Sequence, residues 1–127
     1  RYTFKKHYYE VVSSMNGEEE SCAIILDSHP KVKFWIRNLE CKPEQAFWLP
    51  TSTDKFYPDF IALLNDGRLL AIEYKGEMLK TADDTKEKEL VGFVWMKQSN
   101  EKCLFLMAVK KNGRGLDLKS QIEEVID

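Results

Sequence analysis

Two apolar runs, Asp59–Leu64 and Arg68–Lys75, are separated only by Asn65-Asp66-Gly67, and this short gap constrains the fold more than any other feature of the chain. An Asn-Asp-Gly connection between runs of this kind predicts an antiparallel hairpin. The length of the turn then decides which side chains meet. A two-residue turn centred on Asp66-Gly67 would pair Asn65 with Arg68 and, counting outward, Asp59 with Tyr74, which throws Asp59 and Glu73 onto opposite faces. A three-residue loop with Gly67 in the left-handed region pairs Leu64 with Arg68 and therefore Asp59 with Glu73. Directly opposed residues share a face, their Cβ atoms roughly 4.5–5.5 Å apart. The three-residue loop, bulged at Gly67, is the expected register because it brings the two carboxylates together.

In that register one face of the hairpin carries Ile61, Leu63, Leu69 and Ala71, and the other Phe60, Ala62, Leu64, Leu70 and Ile72. Both faces are apolar, so the pair is expected to lie centrally in a sheet covered on each side. The acidic run Glu18-Glu19-Glu20 suits the positive end of a helix, predicted over Glu18–Ser28 and ended by His29-Pro30. Val32–Leu39 reads as a strand. Ala46–Leu49 reads as a short one, broken by Pro50. Asp83-Asp84-Thr85 opens a helix over Thr85–Lys97, with Leu90, Val91, Val94 and Trp95 expected to pack on the sheet and Gly92 allowing close approach. A strand over Lys102–Val109 follows, and Leu118, Ile122, Val125 and Ile126 mark a terminal helix. The opening Arg1–Val12 reads as an extended arm or short strand. The order predicts an α/β domain: a mixed central sheet flanked by helices, α-β-β-β-α-β, plus a C-terminal helix.

At 127 residues and 43% hydrophobic, the chain is expected to form a single domain over 1–127. It begins with Arg1 and carries no signal-like run, so it reads as a piece of a longer protein. No apolar stretch is long enough to span a membrane, so a soluble, cytoplasmic protein is expected. Cys22, Cys41 and Cys103 lack metal-ligand spacing and, with only His7 and His29 as histidines, argue for reduced, buried thiols rather than a zinc site. The formal net charge of −2 opposes a general nucleic-acid-binding surface. Local basic clusters, Lys5-Lys6, Lys31/Lys33/Arg37 and Lys110/Lys111/Arg114, offer phosphate contacts, although such clusters commonly serve solubility alone.

Asp59 and Glu73 both interrupt apolar strands, where a buried charge is costly without a purpose. A surface ladder of ion pairs is the plain alternative. Two carboxylates on one face suit magnesium, which takes oxygen ligands and is commonly held by one or two carboxylates with water and phosphate. Strand alternation puts Lys75 on the face of Glu73, where its ammonium would orient a water or neutralise phosphate, while Tyr74 points away and offers its backbone carbonyl as a further ligand. Trp35, Trp48 and Trp95 are expected in the core rather than stacked on bases. Asn38 is expected to fix a loop near the site.

The run FYPDFIALLNDGRLLAIEYKGE, Phe56–Glu77, resembles the core of the PD-(D/E)xK nuclease superfamily. More narrowly, VKFWIRNLE, FWLPTS, YPDF, DGR, EYKGE and EKELVGFVW resemble the C-terminal endonuclease domain attached to DEAD/DEAH-type helicases of the type III restriction enzyme kind, over most of Asn16–Ala108. The resemblance implies a restriction-endonuclease-like fold, Asp59 and Glu73 as metal ligands, Lys75 as the catalytic lysine, and magnesium as cofactor, with manganese able to substitute. It further implies Glu19 as an acidic ligand from the first helix, which would otherwise be ordinary helix N-terminal charge. Lys88 matches a polar residue that faces phosphate in some members, against the plainer reading of a solvated helix lysine. The implied partners are double-stranded DNA, a helicase/ATPase region of the parent chain, and a methyltransferase-specificity subunit. The same residues leave open a catalytically silent nuclease-fold module that binds DNA or another subunit, and a standalone repair nuclease or resolvase.

Overall fold

The hairpin forms in the three-residue register. In the structure, a computed structural model that describes residues 4–7, 17–38, 49–50, 55–76 and 83–127, Gly67 has φ +93° and Leu64 N–H donates to the Arg68 carbonyl at 2.9 Å. The left-handed conformation is nearly free for glycine and strained for residues with a Cβ. Asp66 Oδ1 accepts from Arg68 N–H at 3.0 Å, and Asn65 Nδ2 donates to the Pro30 carbonyl at 2.8 Å, so the turn is tied at both corners. Strands β4 (Phe60–Leu64) and β5 (Leu69–Gly76) are separated by this turn, and their pairing runs from Leu63 opposite Leu69 out to Phe60 opposite Ile72. One further step outward sets Asp59 across from Glu73.

The remaining elements are α1 (Gly17–Ser28), β1 (Val32–Arg37), β2 (Leu49–Pro50), β3 (Lys55–Phe56), α2 (Asp83–Gln98), β6 (Cys103–Val109) and α3 (Leu118–Ile126). The main sheet has the order β1-β4-β5-β6; β1/β4 and β4/β5 are antiparallel, and β5/β6 is parallel. It is a mixed sheet in an α/β domain, with β4 and β5 central as their two apolar faces required. A two-residue ladder, β2 with β3, stands apart, and Lys55–Phe56 was not anticipated as a strand. Pro50 lies inside that ladder instead of breaking it, as an edge position permits. Residues 46–48 of the expected short strand lie outside the described residues, as do Trp48, Cys41 and most of the opening arm.

The described part of that arm is held to β1. His7 bridges to Trp35 in parallel, and the Lys6 carbonyl accepts from Trp35 N–H at 2.9 Å. Buried Asp27 receives three donors there: the backbone N–H groups of Lys5 and Lys6 and Trp35 Nε1, at 2.7–3.0 Å. Lys6, read as part of a basic cluster, donates instead to the carbonyls of His29 and Val32.

Two cores flank the sheet. One packs Cys22, Ala23 and Leu26 of α1 and Ile122 and Ile126 of α3 on Trp35, Phe60, Ala62, Leu70 and Ile72. The other packs Val91 and Trp95 of α2 on Ala71, Phe105, Leu49 and Phe56. Gly92 lies so close to Phe105 that any Cβ would overlap the ring. Two expectations for α2 fail: Leu90 and Val94 are 63% and 50% exposed, and Phe93 is 45% exposed. Apolar residues surround this helix, so periodicity did not single out the packed side. The face that contains Gly92 docks because it alone allows the backbone to come down onto Phe105. Trp35 is fully buried and Trp95 packs against the second core, as expected of core tryptophans. Cys22 and Cys103 are free thiols. Among the described residues no helix is long and apolar enough to cross a membrane.

Candidate functional site

Asp59 stands at the bend just before β4, and its main chain is fixed from β1. Asn38 N–H and Arg37 Nη1 both donate to the Asp59 carbonyl at 2.9 Å, and Asn38 Nδ2 donates to the Pro58 carbonyl at 2.9 Å. Asn38 is buried and holds the main chain of Pro58 and Asp59 in place, the loop-fixing role expected of it. The Asp59 carboxylate then reaches across the hairpin, Oδ2 accepting from Tyr74 N–H at 2.8 Å. This contact follows from the register, since Tyr74 adjoins the residue opposite Asp59.

Glu73 is 8% exposed at its side chain, on the α2 side of the sheet. Its Oε2 lies 3.1 Å from Lys75 Nζ and 3.7 Å from Lys88 Nζ. Its Oε1 is buried with no hydrogen-bond partner. Burial pushes Glu73 up to about 7, the negative charge of Asp59 adds to this, and Lys75 and Lys88 oppose it. Burial likewise raises Asp59, against the lowering influence of the Tyr74 N–H and the Arg37 guanidinium. Two ionised carboxylates offer each other only acceptors. A proton or a cation between them is what makes their proximity favourable.

Arg37 ties the third acidic residue to this pair. Its Nη2 donates to Glu19 Oε2 at 3.0 Å, its Nη1 lies 3.6 Å from Asp59 Oδ1, and its guanidinium sits over the Phe60 ring at 5.4 Å. Glu19 is therefore at the site, but with Arg37 as its partner. Glu18 accepts from the Tyr74 hydroxyl at 3.2 Å. Tyr74 is thus held through its N–H and its hydroxyl; its carbonyl enters only as an expected ligand.

Lys88 is not the solvated lysine of the plainer reading. It emerges from α2 toward Glu73 and lies 5.2 Å over the Phe56 ring, placing a second cation beside the carboxylate. Sequence spacing leaves Arg37 in a basic cluster and Lys88 between a phosphate-facing and a solvated reading, because their partners sit on other elements. The sequence signal for Arg37 is its place at the end of β1, where pairing with Phe60 sets it next to Asp59.

The donor set fits a small divalent cation held by few protein ligands. Asp59 Oδ1 and Glu73 Oε1 are carboxylate oxygens on neighbouring strands, the latter with no partner, and hard oxygen donors are what magnesium and manganese take. Among the described residues no group of three or more His, Cys, Asp or Glu is gathered as a metal site, consistent with Arg37 standing between Glu19 and Asp59. For Glu19 to serve as a third ligand it would have to exchange Arg37 for the ion. No family model, curated protein or solved structure matches this chain.

Proposed function

We propose that this chain is a magnesium-dependent endonuclease domain that hydrolyses DNA phosphodiester bonds, built on a restriction-endonuclease-like core. The observation that carries the reading is Glu73 Oε1, a buried carboxylate oxygen with no partner, on the strand opposite Asp59. Burying such a group in a strand is costly unless something is to be bound there. Asp59 and Glu73 would hold the ion, with the Tyr74 carbonyl and Glu19 as further candidates. When bound, magnesium supplies Lewis-acid stabilisation of phosphate charge and lowers the pKa of a ligated water. Manganese is the expected substitute.

The chain's own cations complete the chemistry. Lys75, beside Glu73, is placed to orient the attacking water or meet the phosphate, and Lys88 adds positive charge on the same oxygen. Burial raises Asp59, and the Tyr74 N–H and the Arg37 guanidinium favour its charged form against that burial. The chain order of the main-sheet strands and the helices between them, α1, β1, β4, β5, α2, β6, supports the fold assignment. The net charge of −2 opposes a DNA-gripping surface on this chain, so the reading assigns the grip on DNA to another region, as in a type III restriction enzyme with a helicase motor and a methyltransferase-specificity subunit.

The test is magnesium-dependent cleavage of double-stranded DNA by the full-length protein. Asp59→Ala and Lys75→Ala should each abolish it; undiminished cutting by both variants rejects the assignment. One observation favours a silent binding module: Arg37 beside Asp59 and Lys75 beside Glu73 already balance both carboxylates. Calorimetry separates the two readings, since absence of heat with either magnesium or manganese supports the silent module.

A further inference from the structure

Arg37 links α1, β1 and the bend before β4. From the end of β1 its Nη2 donates to Glu19 Oε2 at 3.0 Å, while its Nη1 donates to the Asp59 carbonyl at 2.9 Å and to the Asn38 carbonyl at 3.2 Å. The same Nη1 lies 3.6 Å from Asp59 Oδ1, and the guanidinium carbon sits 5.4 Å over the Phe60 ring. The side chain is only 15% exposed, and its Nε is buried with no hydrogen-bond partner. Leaving a buried donor unmet is costly, so the guanidinium is oriented by what its two Nη atoms hold.

Glu19 and Asp59, both mostly buried at their side chains, meet on this one group. Carboxylates drawn together out of water need positive charge between them. A metal ion could supply it, but here a guanidinium does, tethered to the chain and fixed by its planar fork. An ion arriving at Glu19 would have to pull Arg37 off two main-chain carbonyls and an aromatic face, and so loosen the loop that places Asp59. The neighbouring Glu18 is likewise committed to a donor, the Tyr74 hydroxyl, so the acidic first turn of α1 serves to fasten the helix to the sheet. Glu73 differs: its contacts with Lys75 and Lys88 run through Oε2, and Oε1 is left partnerless. The unmet need for a cation thus lies between Asp59 and Glu73.

We propose that Arg37 is a built-in counterion standing where a second metal would otherwise sit, so that the site takes a single divalent ion, on Asp59 and Glu73, and Glu19 anchors Arg37 without being a ligand. This rests on the magnesium-dependent reading above and decides between the ligand candidates it left open.

Manganese is the probe. Calorimetry should give one ion per chain, and the electron paramagnetic resonance spectrum at saturation should be that of isolated ions, without the spin coupling of a close pair. Glu19→Gln keeps an acceptor oxygen for Arg37 Nη2 and should weaken manganese by less than about threefold, the effect of a nearby charge and not of a lost ligand. Arg37→Ala leaves Glu19 and Asp59 without their shared cation and should bind a second manganese ion, spin-coupled to the first and displaced by millimolar guanidinium. Two ions per unaltered chain, or a loss of about tenfold or more on Glu19→Gln, overturns the proposal. So does a folded Arg37→Ala chain that still takes one ion. If Arg37→Ala fails to fold, the ion count and Glu19→Gln decide. An unaltered chain that binds no manganese at all removes the nuclease reading itself, and this proposal with it.

Discussion

Replacing Glu73 by glutamine should stabilise the metal-free protein at alkaline pH and leave it unchanged at acid pH. Glu73 is raised from 4.5 to about 7, so between those values the native state holds a proton that the unfolded chain has released. Its stability contribution is therefore complete below about pH 4.5, falls as pH rises through the window, and is lost above about pH 7. At about 1.36 kcal/mol per pKa unit, the fall is on the order of 3 kcal/mol. Asp59 is shifted the same way and adds to the slope. Glutamine has nearly the shape of the protonated acid and nothing to ionise. Urea unfolding with a chelator present, followed by tryptophan fluorescence at pH 5 and pH 8, should show Glu73→Gln matching the parent at pH 5 and exceeding it by on the order of 3 kcal/mol at pH 8. Magnesium should restore the parent's stability at pH 8 and leave the variant unmoved, since binding replaces the proton as the partner of the pair. A variant that is weaker than the parent at pH 8 without metal would refute the reasoning, because Glu73 would then be a net stabilising charge there.

Three further outcomes are open to the same unfolding assay. Gly67→Ala should cost about 1 kcal/mol, because alanine at φ +93° is strained although nothing crowds the site. Asp27→Ala should cost about 3 kcal/mol by stranding the donors of Lys5, Lys6 and Trp35, with Asp27→Asn milder; equal stability of Asp27→Ala and parent would mean the arm is not anchored there. Gly92→Ala should cost about 1–3 kcal/mol through overlap with Phe105, and Phe105→Leu in the same chain should recover part of it, a non-additivity that a double-mutant cycle measures.

What the sequence made legible was local and countable. The length of Asn65-Asp66-Gly67 set the register and so the meeting of Asp59 with Glu73, and acidic first-turn residues and the His29-Pro30 stop framed α1. The charged partners of the site were harder to read because each is made by three-dimensional proximity. Arg37 reaches Glu19 eighteen residues back and Asp59 twenty-two residues ahead, and no spacing rule links them. Lys88 gains its place beside Glu73 only through the docking of α2 on the sheet. For α2 itself, Leu90, Phe93 and Val94 are as apolar as Val91 and Trp95, so the choice of packed face rested on Gly92 and Phe105, whose contact is long-range. Asp27, a carboxylate near the end of a helix, gave no sign that it would be buried under the arm.

Gly92 and Lys88 are one helical turn apart on the same side of α2, so the depth at which the helix sits on Phe105 also sets how near the Lys88 ammonium comes to Glu73. A methyl group added at Gly92 touches no residue of the site, yet by raising the helix it withdraws positive charge from the buried carboxylate. Core packing is thereby an electrostatic control on this protein. A substitution that looks purely steric should leave Glu73 harder to ionise.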